Sequence, residues 1–161
     1  MTLSNFWPLR YLSAAVLLSS LCCFGQSNNV LTVGAPEKVT ARIGSTVQVK
    51  VPLELRTGYH CNSNKPSDEY LIPLKLTWAT GPLEAPEVIY PEAQMEKYSF
   101  SDKPLSVYTG NFELVTKFKV PASAIAGQVM ITGKLKYQAC TDRMCLQPKT
   151  IDVSIPIDLI K

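Results

Sequence analysis

Hydrophobic and polar residues alternate along most of the chain that follows the first 25 residues. In "TVQVKVPLEL" every second residue from Val47 to Leu55 is aliphatic, and most of the residues between them are polar. Because successive side chains of a strand point to opposite faces of a sheet, this alternation predicts a strand with one buried face. The same pattern recurs in "NFELVTKFKV", "QVMITGKLKY" and "TIDVSIPIDLI". Shorter candidate strands occupy residues 38–41, 74–78 and 87–90.

The breaks between these runs contain turn-forming residues, as in "RIGST", "ATGPLEAP", "SDKP" and "IAGQ". Gly and Pro interrupt regular structure at such places. No segment keeps a 3.6-residue hydrophobic period for three helical turns, although "PASAIAG" could form one turn. About seven strands at this spacing predict an all-β sandwich. The length of 161 residues suits one domain, which we place at residues 26–161.

The first 25 residues have the layout of a cleavable signal peptide. Arg10 precedes the apolar run "YLSAAVLLSSLCCFG", which is too short to span a bilayer comfortably, and the polar stretch "QSNN" follows. We expect cleavage after Gly25 and a periplasmic or otherwise exported protein. Lipid attachment at Cys22 or Cys23 is the less favoured alternative, since Leu21 stands where a small residue is expected.

Charge and cysteine content change when this segment is removed. The net charge of +3 falls by one with Arg10, and the remaining lysines are scattered along strands, so no nucleic-acid surface is indicated. Three cysteines remain: Cys61, Cys140 and Cys145. In an exported protein this odd number predicts one disulfide and one free thiol.

Residues 57–73, "TGYHCNSNKPSDEYLIP", fit none of the strand patterns. The segment is long and polar, and loops of this length without structure of their own are usually functional or disordered. It carries His60, which is the only histidine, together with Cys61 and Tyr70. We expect Cys61 to pair with neither other cysteine and favour a buried, inert thiol for it.

Cys140 and Cys145 lie in "KYQACTDRMCLQPKT", between two predicted strands that would form a hairpin. Opposed residues in such a pair lie about 4.5–5.5 Å apart at Cα, which suits a disulfide. The spacing alone leaves a structural staple and a working dithiol open. A Cu(I) or zinc site using His60, Cys61 and Met144 is a third possibility, although the second ligand pair that zinc requires is missing.

Other chemistry is less well supported by the sequence. A Cys–His nucleophile needs His60 beside Cys140 or Cys145, and the chain adjacency of His60 and Cys61 does not provide that geometry. The sequence contains no glycine-rich phosphate loop. Near the cysteines, Asp142 disfavours a thiolate and Arg143 favours one.

Three segments resemble the N-terminal periplasmic domain of the thiol:disulfide interchange protein DsbD. They are "GYHCNSNKPSDEYLIPLKL", "YSFSDKPLSVYTGNFEL" and "KYQACTDRMCLQP", and the resemblance spans about residues 35–160. It implies an immunoglobulin-like fold in which Cys140 and Cys145 are the redox pair and Cys145 forms mixed disulfides with partners. It also implies a shielding cap loop, which maps near Val107 and Tyr108.

The resemblance implies thioredoxin-fold periplasmic partners, with no cofactor, metal or small-molecule substrate. The sequence departs from the family in having one residue fewer between the cysteines and an additional thiol, Cys61. Since the sequence ends at Lys161, we expect a separate membrane electron donor. His60, Cys61, Tyr70, Asp142 and Arg143 are candidate modulators of the redox pair. The alternatives are a β-sandwich binding or assembly module with a structural disulfide, and a periplasmic copper-handling protein.

Overall fold

The computed structural model describes residues 29–161. The predicted signal peptide at residues 1–25, with Cys22 and Cys23, lies outside the described residues. Within residues 29–161 the regular secondary structure consists of twelve β-strands and no helix, so no helix there could cross a membrane. The strands are β1 (Leu31–Val33), β2 (Val39–Arg42), β3 (Thr46–Leu55), β4 (His60–Asn62), β5 (Lys75–Trp78), β6 (Glu84–Ile89), β7 (Gln94–Glu96), β8 (Leu105–Thr109), β9 (Asn111–Lys119), β10 (Gly127–Tyr137), β11 (Ala139–Cys140) and β12 (Lys149–Ile160).

The strands form three four-stranded sheets. The first has the order β1-β3-β9-β6, the second β2-β12-β10-β5, and the third β11-β4-β8-β7. Neighbouring strands are antiparallel except β2 and β12, which run parallel from Val39↔Ile157 to Arg42↔Ile160. The four long strands predicted from the alternation are all present, and β10 and β12 form the expected hairpin.

The core lies mainly between the first two sheets, and it is built mostly by the alternating apolar residues. Along β3 the burial alternates with the residue parity, and the same holds through most of β10 and β12. Each fully buried aliphatic side chain contributes about 1.5–3 kcal/mol relative to an exposed one. The predicted immunoglobulin-like β-sandwich is therefore confirmed, with central residues that include Val49, Val51, Leu114, Leu135, Ile155 and Ile157.

Trp78 links the two main sheets. It stands opposite Gly133 in the β5–β10 register, and its indole Nε1 donates a 3.0 Å hydrogen bond to Thr116 Oγ1 on β9. Its ring also meets the Phe118 ring edge-on, with centroids 5.2 Å apart. A Cβ atom at Gly133 would lie 2.8 Å from the indole, so the glycine makes room for this contact.

The third sheet was not predicted, and it contains a short part of the polar segment at residues 57–73. The expectation of an irregular loop is wrong for its first part, because His60–Asn62 form strand β4. All three residues of β4 are buried, and β11 and β8 pair with the strand on either side. These neighbours satisfy the backbone polar groups of β4, which allows a polar sequence to lie inside the protein.

Candidate functional site

The two cysteines of the hairpin are joined by a disulfide. Cys140 and Cys145 have an S–S distance of 2.00 Å and a Cα–Cα distance of 3.9 Å, closer than predicted for opposed strand residues. The loop between them is closed by a 2.8 Å hydrogen bond from the Thr141 N–H to the Met144 carbonyl. Cys61 is a free thiol, which confirms that it pairs with neither hairpin cysteine.

The two cysteines of the disulfide differ in exposure to solvent. Cys140 is completely buried at the end of β11, whereas Cys145 is only partly buried. Around Cys145 the loop is open to solvent, since Asp142 and Arg143 are exposed and Met144 is 60% exposed. An incoming thiol or thiolate can therefore approach the disulfide from the Cys145 side.

His60 lies directly opposite Cys140. The β4–β11 register pairs the two residues, so their side chains leave the sheet on the same face. The imidazole is only 3% exposed, and its Nε2 is buried without a hydrogen-bond partner among the described residues. Burial lowers the His60 pKa to about 4, so the ring is neutral at pH 7. The sequence makes His60 a candidate modulator of the redox pair but does not predict its position opposite Cys140, because the two residues are remote in the chain and no local pattern signals their pairing.

A short segment between β7 and β8 covers His60. The Tyr98 ring stacks on the imidazole with centroids 3.8 Å apart and planes 16° apart, and Phe100 continues the stack at 6.4 Å from His60. Ser99 Oγ donates a 2.8 Å hydrogen bond to the Asp142 carbonyl in the cysteine loop. We call residues 98–100 the aromatic cover, because its rings lie on the histidine and its serine is tied to the hairpin.

The prediction of a cap loop at Val107 and Tyr108 is wrong. Both residues lie in strand β8 and are buried, with 0% and 3% of their surface exposed. Tyr108 is held there because its hydroxyl donates a 2.8 Å hydrogen bond to Asn64 Oδ1 and its ring stacks on Phe112. The covering residues precede this strand, within the same "YSFSDKPLSVYTG" stretch.

Cys61 lies on the other face of β4 from His60. It pairs with Ala139 and Tyr108 in the strand register and belongs to the main hydrophobic core. Burial raises the pKa of its thiol to about 12, which makes the thiolate negligible at neutral pH. The thiol is thus unreactive in the folded protein and points away from the disulfide.

The remaining candidates show no clustering that could bind a metal. Among residues 29–161 no three His, Cys, Asp or Glu side chains come together in a way that could hold a metal ion.

Tyr70 is 75% exposed, and its side chain makes no hydrogen bond or ring contact within these residues. A groove beside the hairpin is lined by groups that include Arg56, Tyr59, Tyr98 and Asp142.

Comparison with known proteins places these features in a family context. A family model described as the N-terminal domain of the thiol:disulfide interchange protein DsbD matches residues 27–156. No curated protein matches the sequence.

Two solved structures illustrate the likeness. The N-terminal periplasmic domain of ScsB from Proteus mirabilis has a TM-score of 0.52 and 13% identity, and the match covers 80% of this chain and 44% of the ScsB chain. The N-terminal domain of DsbD from Neisseria meningitidis, in the reduced form, has a TM-score of 0.46 and 19% identity, with 78% of this chain and 85% of that chain covered. At these identities the ScsB match supports the fold alone.

Proposed function

Since this chain belongs to the family of N-terminal domains of the thiol:disulfide interchange protein DsbD, we propose that it is an exported thiol–disulfide exchange protein. It carries reducing equivalents between thioredoxin-fold partners through Cys140 and Cys145. The observation that carries the proposal is the disulfide itself, which combines a buried Cys140 with a partly exposed Cys145 in an open loop. Export is supported by the signal-like sequence of residues 1–25.

The exchange follows ordinary thiol–disulfide chemistry. In the reduced protein the Cys145 thiolate attacks one sulfur of a partner disulfide. That bond breaks, a mixed disulfide forms, and one partner cysteine leaves as a thiolate. Cys140 then attacks Cys145 Sγ, the intramolecular disulfide forms, and the second partner cysteine leaves. The partner gains two electrons and two protons, and this chain is oxidised.

The difference in exposure favours Cys145 as the residue that engages partners. A partner sulfur can reach Cys145, whereas Cys140 has no exposed surface and is better placed to resolve the mixed disulfide from within. The same steps in reverse reload the pair from a reduced electron donor. Neither a nucleic acid nor a small-molecule substrate takes part in this proposal, and no cofactor is needed.

The reduction potential of the pair tests the proposal. An exchange pair should have a potential among the periplasmic exchangers, whereas a structural disulfide of an exported protein usually lies below about −300 mV. The potential is measured by equilibration with glutathione or dithiothreitol buffers and counting of free thiols. A value well below −300 mV would support a structural staple and contradict the carrier function.

Trapping of mixed disulfides tests the division of roles. Cys140→Ser and Cys145→Ser variants are reduced and incubated with oxidised thioredoxin-fold proteins. We expect Cys140→Ser to accumulate a covalent complex through Cys145, and Cys145→Ser to accumulate little. Equal trapping would refute the assigned roles, while absence of any complex with several such partners would count against the carrier function itself.

A further inference from the structure

The position of His60 beside Cys140 suits a chemical role in disulfide exchange and not only a packing role. It stands opposite Cys140 on the same face of the β4–β11 pair, and directly opposed Cβ atoms lie about 4.5–5.5 Å apart. On the other side of β4, His60 is paired with Thr109 of β8. His60 therefore lies in the strand between β11 and β8, with its side chain on the same face of the sheet as that of Cys140.

The resolving step needs a proton acceptor at this position. Cys140 must lose its thiol proton before it can attack Cys145, because the thiolate is the nucleophile. Cys140 has no exposed surface, so water has no direct path to its sulfur. The buried Nε2 of His60 has no hydrogen-bond partner within residues 29–161, and an unsatisfied buried nitrogen of this kind is available to accept a proton.

We propose that His60 accepts the proton of Cys140 when the mixed disulfide at Cys145 is resolved. The Cys140 thiol gives its proton to the imidazole, and the resulting thiolate attacks Cys145 Sγ. The intramolecular disulfide forms as the bond from Cys145 to the partner breaks. The departing partner thiolate then takes the proton from the imidazolium, so His60 ends each cycle neutral. This role rests on the proposed function and names the base that it requires.

The surroundings of the ring explain how its basicity is controlled. Tyr98 in the aromatic cover stacks on it and Cys140 stands opposite it, with Arg56, Tyr59 and Asp142 around the adjoining groove. Within the described residues no carboxylate forms an ion pair with His60, so burial alone holds its pKa down. When a partner displaces the aromatic cover, solvent reaches the ring and its pKa rises towards the ordinary value of about 6.5. The base is thus strengthened at the moment when it is required.

The resolving step can be observed with an aromatic disulfide reagent. Reaction of the reduced protein with 5,5′-dithiobis(2-nitrobenzoate) releases one thionitrobenzoate when Cys145 is modified and a second when Cys140 resolves the adduct. A high reagent concentration accelerates only the first, bimolecular phase. Stopped-flow absorbance then gives the resolving rate separately, and Cys140→Ser should show the first phase alone.

Three His60 variants distinguish a proton acceptor from a packing residue. His60→Phe keeps a ring for Tyr98 to stack on, and His60→Gln keeps a polar side chain if the first variant does not fold. We expect either substitution to slow the resolving phase at least tenfold at pH 7, because general bases typically contribute 10²–10⁴-fold. In His60→Ala, added imidazole should restore part of the resolving rate. Thr109→Val, which alters the other residue paired with His60, should leave the resolving rate unchanged.

The pH profile provides a readout that packing alone would not change. In the wild type the resolving rate should vary little above about pH 7, because His60 is neutral there whether or not the aromatic cover is in place. In His60→Phe it should keep rising, by about tenfold per pH unit, because the Cys140 thiol must then lose its proton to hydroxide from the solvent. Identical profiles and equal resolving rates in folded variants would overturn the role of His60 and leave the carrier function standing. A wild-type protein with no second phase would instead contradict the redox pair, and the role of His60 with it.

Discussion

At the scale of single residues, Gly133 has the tightest surroundings of the described glycines. An added Cβ would come within 2.8 Å of the Trp78 ring and 3.0 Å of the Thr77 carbonyl. Neither the backbone carbonyl nor the hydrogen-bonded indole can move aside easily. We therefore expect Gly133→Ala to lower the free energy of unfolding by about 1–3 kcal/mol, the usual effect of overpacking. Denaturant unfolding followed by Trp78 fluorescence measures it.

Gly81→Ala is the matched control for this substitution. Gly81 is exposed, and the nearest atom to an added Cβ is 3.9 Å away. Its substitution should change stability by no more than about 0.5 kcal/mol, as for most surface positions. Equal changes in stability for the two substitutions would show that crowding by Trp78 does not determine the effect of a side chain at position 133.

Cys61 makes stability depend on alkaline pH. The unfolded chain releases its thiol proton above about pH 9, whereas burial retains it in the folded state up to about pH 12. The contribution is fully present below pH 9 and is lost as the pH rises further, by about 1 kcal/mol at pH 10. Unfolding at pH 7 and 10 should show this loss in a Cys140→Ser/Cys145→Ser protein. Adding Cys61→Ala should abolish this loss of stability at pH 10. An equal loss with and without Cys61 would show that the Cys61 thiol is not its cause.

At the scale of elements, alternation predicted the long strands and failed for the third sheet. Strand β3 alternates over ten residues because one face meets the core and the other meets solvent. Strand β4 has only three residues, all buried, and β11 has two. Strands of two or three residues are too short to show an alternation of polar and apolar residues in the sequence. The cap was placed near Val107 and Tyr108 by the family resemblance, whereas both residues lie in the buried strand β8.

The site was predictable in part because its two cysteines are close in sequence. The hairpin brings Cys140 and Cys145 together through the pairing of its own two strands, which alternation makes visible. The pairing of His60 with Cys140 depends instead on β11 joining the third sheet. That contact is set by long-range packing of β4, and no local feature of the sequence encodes it.

The aromatic cover provides a prediction at this scale. Ser99 Oγ holds it to the cysteine loop through the Asp142 carbonyl. One such hydrogen bond contributes about 0.5–1.5 kcal/mol, so its loss should raise the population of the uncovered state roughly two- to tenfold. We expect glutathione disulfide to oxidise reduced Ser99→Ala roughly two- to tenfold faster than the reduced wild type.

Ser101→Ala is the control for the aromatic cover. Its hydroxyl donates to the Lys103 carbonyl, so the substitution removes a hydrogen bond from the neighbouring turn without touching the cysteine loop. Its oxidation rate should stay near that of the wild type. If Ser99→Ala reacts no faster than Ser101→Ala, the hydrogen bond to Asp142 does not hold the aromatic cover in place.

At the scale of the whole molecule, the disulfide lies outside the main core, although its neighbours Ala139 and Leu146 pack there. The main core lies mostly between the first two sheets and also contains Cys61, Tyr108 and Ala139 of the third sheet, but it includes neither Cys140 nor Cys145. The disulfide closes a loop with a sequence separation of only 5. Chain-entropy arguments give such a short loop about 2 kcal/mol at most. The fold can therefore tolerate both the oxidised and the reduced state, which a carrier must occupy in turn.

Removal of the disulfide should accordingly leave the sandwich intact. We expect Cys140→Ser/Cys145→Ser to lose no more than about 2 kcal/mol of unfolding free energy relative to the oxidised wild type. Its far-UV circular dichroism should be unchanged, and so should the fluorescence of Trp78, which packs on Phe118 in the core. Reduced wild type should match the variant in urea unfolding, since both lack the crosslink. Global unfolding of either protein, or a loss of more than about 4 kcal/mol of unfolding free energy, would show that the disulfide holds the fold together. Such a disulfide could not open in every redox cycle, so this result would contradict the carrier function.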